Sequence, residues 1–192
     1  VPLTVDPTRP AGSLRALDQP RLTGDRLVLR PWQDADAAAV LAAFSCPDIQ
    51  WWHIRRMDTL DEAREWIADW ATRWDGEKDS SWAVVDDTGR VVGQVGLRAV
   101  SLFEGSAALS YWVLPEARGA EVAVRAARTL TRWVFDVLRL HRVALEHSTA
   151  NAASCRVATK LGFAVEDTLR GSARQADGWH DMHQHALLRT DG

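Results

Sequence analysis

The sequence predicts an α/β chain of the α+β kind, with a single mixed, mainly antiparallel sheet flanked by helices. Three observations predict it. Strand-like segments, β-branched or alternating, are interleaved with helix-period segments in the order βααβββαβαβ. Leu109 to Phe163 reads strand, Gly-containing turn, helix, strand, polar loop, helix. Asp86-Asp-Thr-Gly89 reads as a tight turn between two apolar runs, a hairpin signature.

At 192 residues the chain suits one domain with a sizeable core. Hydrophobic content of 46% and charged content of 26% are those of an ordinary globular protein, not of a disordered chain. No apolar run has membrane-spanning length. The N-terminus lacks a basic-then-apolar leader pattern, which points to the cytoplasm. A net charge of −3 without a long basic block argues against nucleic acid as the main partner. Cys46 and Cys155 fit no metal-ligand spacing and are too few for a disulfide framework, so no metal is expected.

Residues 1–20 carry four prolines, Pro2, Pro7, Pro10 and Pro20, and read as a flexible or loosely docked arm ahead of a domain over 21–192. Leu22 to Leu29 alternates and reads as one strand with a break at Gly24-Asp25. Pro31-Trp32 ends it, and Asp34 can cap the Ala-rich helix bearing Val40, Leu41 and Phe44. Ser45 to Asp58 reads as irregular, with Trp51-Trp52-His53 at its centre. Two adjacent tryptophans cannot both face one core, so at least one should line a groove. Thr59-Leu-Asp-Glu62 is a capping box. The helix behind it stacks Trp66, Trp70 and Trp74 in one stripe, which reads as core packing. Trp82 to Val85 and Val91 to Val100 are the hairpin strands. Gly93 and Gly96 in the second predict close backbone approach or a bulge.

The next strand ends Tyr111-Trp112-Val113-Leu114-Pro115, and proline stops it. Arg118-Gly119 opens a helix to about Leu138, apolar along Val122, Ala126, Leu130, Trp133 and Val137. The first N–H groups of such a helix have no intrahelical partner and attract anions. Val143 and Leu145 mark a buried strand, Asn151 to Leu161 a helix ended by Gly162, and 163–166 and 181–188 the last strands.

Four motifs in this order, Tyr111-Trp112-Val113-Leu114-Pro115, Arg118-Gly119-Ala120-Glu121, Asn151-Ala152-Ala153-Ser154 and Lys160-Leu161-Gly162-Phe163, resemble the acyl-CoA core of the GCN5-related N-acetyltransferases (GNAT). The branch most similar acetylates protein N-termini and small amines, as the ribosomal-protein alanine and serine acetyltransferases do. The resemblance covers about Arg21 to Arg189. It implies the GNAT fold, with the sheet splayed near Val113, and acetyl-CoA as co-substrate with no metal.

The same resemblance implies the site. Trp112, Val113 and Leu114 would pair with the pantetheine arm, and a backbone N–H near Val113 would donate to the oxyanion. Arg118, Gly119, Ala120, Glu121, Val122 and Ala123 would meet the pyrophosphate, and Asn151 the pantetheine. Ser154 would protonate the leaving thiolate and also touch the cofactor. Trp51, Trp52, His53 and Tyr111 would line the acceptor side. Two family positions depart: Ala108 stands where a glutamate base is common, and Ala158 where a tyrosine is. Glu104, Glu146, His147 and Asp181 remain as polar candidates for the base, His147 first, because histidine titrates near neutrality; a water chain without a dedicated base also fits. Glu121 departs too, standing where the family has a glycine against phosphate, and Arg125, four residues on, is positioned to draw it aside.

The sequence thus points to acetyl transfer from acetyl-CoA to a primary amine, on a peptide N-terminus or a small molecule. The rival is a catalytically weak or inactive module of the same fold with a Trp-lined groove, favoured by Glu121, Ala108 and Ala158. Expected partners are the amine acceptor, with no nucleic acid or membrane; a homodimer stays open.

Overall fold

The computed structural model describes residues 4–191. Eight strands form one sheet in the order β1-β2-β3-β4-β5-β6-β8-β7. They are β1 Leu22–Gly24, β2 Leu27–Arg30, β3 Ser80–Val85, β4 Val91–Ser101, β5 Ser106–Val113, β6 Arg142–Ser148, β7 Ala164–Gln175 and β8 Gly178–Leu188. Only β5 and β6 pair in parallel; every other neighbouring pair is antiparallel. The helices are α1 Ala37–Ser45, α2 Pro47–His53, α3 Leu60–Asp75, α4 Val122–Asp136 and α5 Ala152–Lys160.

Two expectations are corrected. The single first strand is a hairpin, β1 with β2, because Asp25 and Arg26 both take positive φ, at 50° and 59°, and turn the chain back in two residues. The stretch expected to be irregular contains α2. Pro47 sits in its first turn, where a missing N–H costs nothing. Ile54 ends the helix in the left-handed region, at φ 51°.

Thr59 and Glu62 close the expected capping box at the start of α3. Trp70 and Trp74 of its stripe are buried, and Trp66 packs edge-on against Trp32 at 5.2 Å. The main core lies between the sheet and α4, through Ala126, Ala127, Leu130 and Val134. A second cluster, with Val40, Phe44 and Ile49, joins α1 and α2 to Trp112 and Leu114 at the end of β5. Gly93 and Gly96 are places of close approach: a Cβ there would stand 2.6 Å from the Trp112 carbonyl oxygen and 2.3 Å from that of Ser80.

Of the stretch read as an arm, residues 1–3 lie outside the described residues. The remainder packs on the domain. Leu14 is buried in the main core. Glu77 accepts from the N–H groups of Gly12, Leu14 and Arg15. The indoles of Trp74 and Trp82 donate to the carbonyls of Leu17 and Pro20.

Candidate active site

The sheet opens between β5 and β6. Ser106, Ala107 and Ala108 pair with Arg142, Val143 and Ala144, and there the ladder stops. From Leu109 on, β5 pairs only with β4; from Leu145 on, β6 pairs only with β8. The gap is a cleft of about 850 Å³, walled by α2, β5, the start of α4, β6 and α5. Trp51, Trp52, His53, Tyr111, Trp112, Val113, Arg118, Gly119, Glu121, Val122, Ala123, His147, Asn151 and Ser154 all line it. Two expected residues do not. Leu114 is buried in the second core cluster, and its N–H donates to the Val92 carbonyl. Ala120 faces a separate hollow, and its carbonyl accepts from Arg125.

At one end of the cleft is the turn into α4. Gly119 takes φ 83° with open space where a Cβ would be. Glu121 is the residue before the helix and takes φ 55°, a region that side chains other than glycine disfavour. Its carboxylate forms an ion pair with Lys160 at the end of α5, which holds it below the usual carboxylate range. Arg125, the expected partner, and the neighbouring Arg118 are engaged elsewhere. Arg125 donates to the backbone oxygens of Asp25 and Ala120, and Arg118 pairs with Asp48 at 2.7 Å.

Mid-cleft, the phenol of Tyr111 lies beside the Ser154 side chain, near enough for that serine to pull its pKa down, though short of hydrogen-bond geometry. Burial dominates and pushes Tyr111 up to about 12. Asn151 caps α5: its side-chain oxygen accepts from the Ser154 N–H at 3.0 Å. That leaves its amide nitrogen as the group free to donate.

The histidines divide the opposite wall. His53 donates from Nε2 to the Tyr111 carbonyl at 3.0 Å, so it already occupies one backbone acceptor of β5. Burial holds its pKa below the ordinary 6.5, against the pull of that carbonyl. His147 lines the cleft but is buried, not an exposed strand-end residue. Its Nδ1 is 2.8 Å from the Ser148 carbonyl and its Nε2 is 3.1 Å from Nε2 of His185. Both ring nitrogens are engaged, which leaves neither to take a proton from an amine.

A different chain of polar groups meets the cleft at Ser148. Its Oγ lies 2.7 Å from Nδ1 of His180, whose Nε2 lies 2.8 Å from Asp177. The Ala150 N–H donates to the same Oγ at 3.1 Å. The serine hydrogen therefore points to His180, and the His180 Nε2–H to the carboxylate. The Trp52 ring packs edge-on against His180 at 6.5 Å. Sequence reading missed Ser148, His180 and Asp177. Their only signal was that all three are polar residues close to the ends of expected strands. Lys160 was also missed, although it is one of only two lysines in the chain.

The family model for the acetyltransferase (GNAT) domain matches residues 26–164. The chain belongs to the GNAT acetyltransferases. It is 27% identical to the uncharacterized N-acetyltransferase YoaA of Bacillus subtilis over 172 residues, covering 88% of this chain and 97% of that one. Mycobacterium smegmatis RimJ, solved in complex with CoA-disulfide, superposes with a TM-score of 0.81 at 21% identity over 90% of this chain and 87% of that one. Vibrio cholerae spermidine N-acetyltransferase, solved with CoA and spermine, gives 0.76 at 19% identity over 86% and 96%. The structural likenesses show the GNAT fold; the family match makes the chain an acetyl-CoA-dependent acyltransferase.

Proposed function

We propose that this GNAT enzyme moves an acetyl group from acetyl-CoA to the primary amine of a peptide N-terminus or a small molecule, by direct attack in a ternary complex. One observation carries the reading: the edge of β5 left open beyond Ala108, which carries Tyr111, shares one cleft with Ser154, the start of α4 and the tryptophans of α2. The amides of Gly119 and of Glu121 to Ala123 receive the pyrophosphate, since a helix start supplies N–H donors and a favourable dipole. The pantetheine lies along β5 as an added strand, with Asn151 donating to it. The acceptor enters past Trp51, Trp52 and His53.

In the reaction the amine nitrogen attacks the thioester carbonyl. An N–C bond forms, the C–S bond breaks, and the CoA sulfur leaves as thiolate. The Val113 N–H stabilises the oxyanion. Ser154 gives a proton to the sulfur and regains one from solvent in the open cleft, into which the proton carried by His180 is released; Tyr111, which its burial keeps protonated, stands beside the serine. The proton lost by the amine passes through the Ser148 hydroxyl to His180, whose charge Asp177 offsets. Aspartate, histidine and serine are here a proton relay only, with no acyl-serine formed.

The test is a thiol-release assay with acetyl-CoA against peptide N-termini and polyamines, on wild type and His180→Gln. Thiol release with at least one amine, reduced in His180→Gln, supports the reading. Acetyl-CoA binding without release to any amine would favour the binding module. The pairing of the Glu121 carboxylate with Lys160 weighs against that rival, since it offsets the negative charge at the start of α4.

A further inference from the structure

His147, His183, His185 and Cys155 meet behind the cleft wall. His147 and His183 are directly opposed in the ladder between β6 and β8, and His185 is two residues further along the same face. Cys155 reaches them from the first turns of α5. One potential ligand atom from each residue lies within 4.8 Å of all the others. We propose that these four side chains form a zinc site that ties α5 to the two strands.

The ring geometry supports this. The Ser148 carbonyl takes the proton of His147 Nδ1, so His147 Nε2 carries a lone pair. That lone pair faces Nε2 of His185 at 3.1 Å, so in the metal-free protein His185 must carry its proton on Nε2. His185 Nδ1 is then a bare lone pair, buried in a residue only 1% exposed, and it has no hydrogen-bond partner. His183 Nδ1 is also buried without one. Packing alone leaves both nitrogens unsatisfied, which costs free energy in a buried setting.

A metal ion relieves the His185 conflict. The His185 proton moves to Nδ1. Both Nε2 atoms are then free to bind, and the opposite nitrogen of His147 is held by the Ser148 carbonyl, the arrangement that orients metal-bound histidines. Zn–N distances of about 2.0–2.1 Å and Zn–S of about 2.3 Å place neighbouring ligand atoms roughly 3.3–3.6 Å apart in a tetrahedron. The two Nε2 atoms already stand near that spacing, and the widest pair must close by about 1 Å. Three imidazoles with one thiolate suit zinc, and its tetrahedral relative cobalt, better than the oxygen-seeking ions. Binding forms a Zn–S bond and releases the Cys155 thiol proton to solvent. Cys155 is half-buried, which gives the ion a way in.

The test is independent of acyl transfer. Chelator-stripped protein is titrated with Co²⁺ and watched for tetrahedral d–d bands and a thiolate-to-cobalt band, then displaced with Zn²⁺. The expected result is one equivalent bound, loss of the thiolate band in Cys155→Ser, and affinity lower by about tenfold or more in Cys155→Ser and His185→Gln. Zn²⁺ should also raise the Tm of wild type and raise it less in either variant. Absence of saturable binding to wild type would overturn the site. Binding unchanged in both variants would do so too. Binding lost in His185→Gln but kept in Cys155→Ser, with no thiolate band in wild type, would refute the four-ligand assignment.

Discussion

Lys160 at the end of α5 forms an ion pair with Glu121, the residue that leads into α4. Two helices that begin and end at the cleft are thus joined across the end proposed for the pyrophosphate. The pairing changes what replacing Glu121 should do. Read as a first-turn helix residue, Glu121→Gly would cost stability. In the structure Glu121 takes φ 55°, where glycine is the favoured residue.

The first prediction follows. Glu121→Gly should have a Tm no lower than wild type and bind acetyl-CoA several-fold more tightly, because Lys160 is released towards the phosphates. That gain should shrink as salt rises, since exposed charges are screened over about 10 Å at 0.1 M. Lys160→Ala should weaken binding, and the double variant should recover part of the loss. Calorimetry of the four proteins at two salt concentrations checks the cycle.

Ser154→Ala should lower kcat by a factor of the order of 100 while acetyl-CoA affinity stays within a few fold, as expected for a group that acts on the leaving sulfur. Tyr111→Phe should lower kcat as well. Because the two side chains lie together, the double variant should lose less than the product of the single losses. Turnover at saturating amine is the measurement.

Trp52→Ala should raise the KM for the amine and leave the affinity for acetyl-CoA unchanged. Trp52 lines the cleft and packs against His180 of the proposed proton relay, which would put it beside the amine. An equal effect on both substrates would place the tryptophan elsewhere in the mechanism.

Stability should fall in acid partly through His53. Its folded pKa is below the ordinary 6.5, chiefly from burial, with Arg98 and Arg55 adding to the shift and the Tyr111 carbonyl opposing it. The unfolded chain then binds the proton more readily than the folded one. Its contribution is complete above pH 6.5 and is lost as pH falls below that towards the folded value. Denaturant melts of wild type and His53→Gln should therefore differ in slope below that pH and run parallel above it.

Much of the fold was legible because its signals are local. The capping box at Thr59, the proline after β5 and the Gly119 turn each lie within a few consecutive residues, and their spacing carries the geometry. The open strand and helix start of the cleft followed from the same motifs. The rest depends on contacts between distant segments. Nothing near Glu121 in sequence reveals Lys160, and nothing near Ser148 reveals His180. Cys155 fits no ligand spacing because its neighbours come from β6 and β8. The α2 helix was obscured by its own composition, since Pro47 and two adjacent tryptophans read as irregular until the proline is placed in the first turn.

The early end of the β5–β6 ladder has a consequence for the molecule in solution. A strand without a neighbour is a template, and on a protein's rim it invites another chain to dock and aggregate. Here the bare edge runs down the inside of a cleft, with α2 and α5 on either side and His53 already holding one of its carbonyls. A slender extended molecule can reach it, while the broad edge of another folded protein cannot. The fold thereby keeps an adhesive backbone surface in working order without exposing it to its own copies.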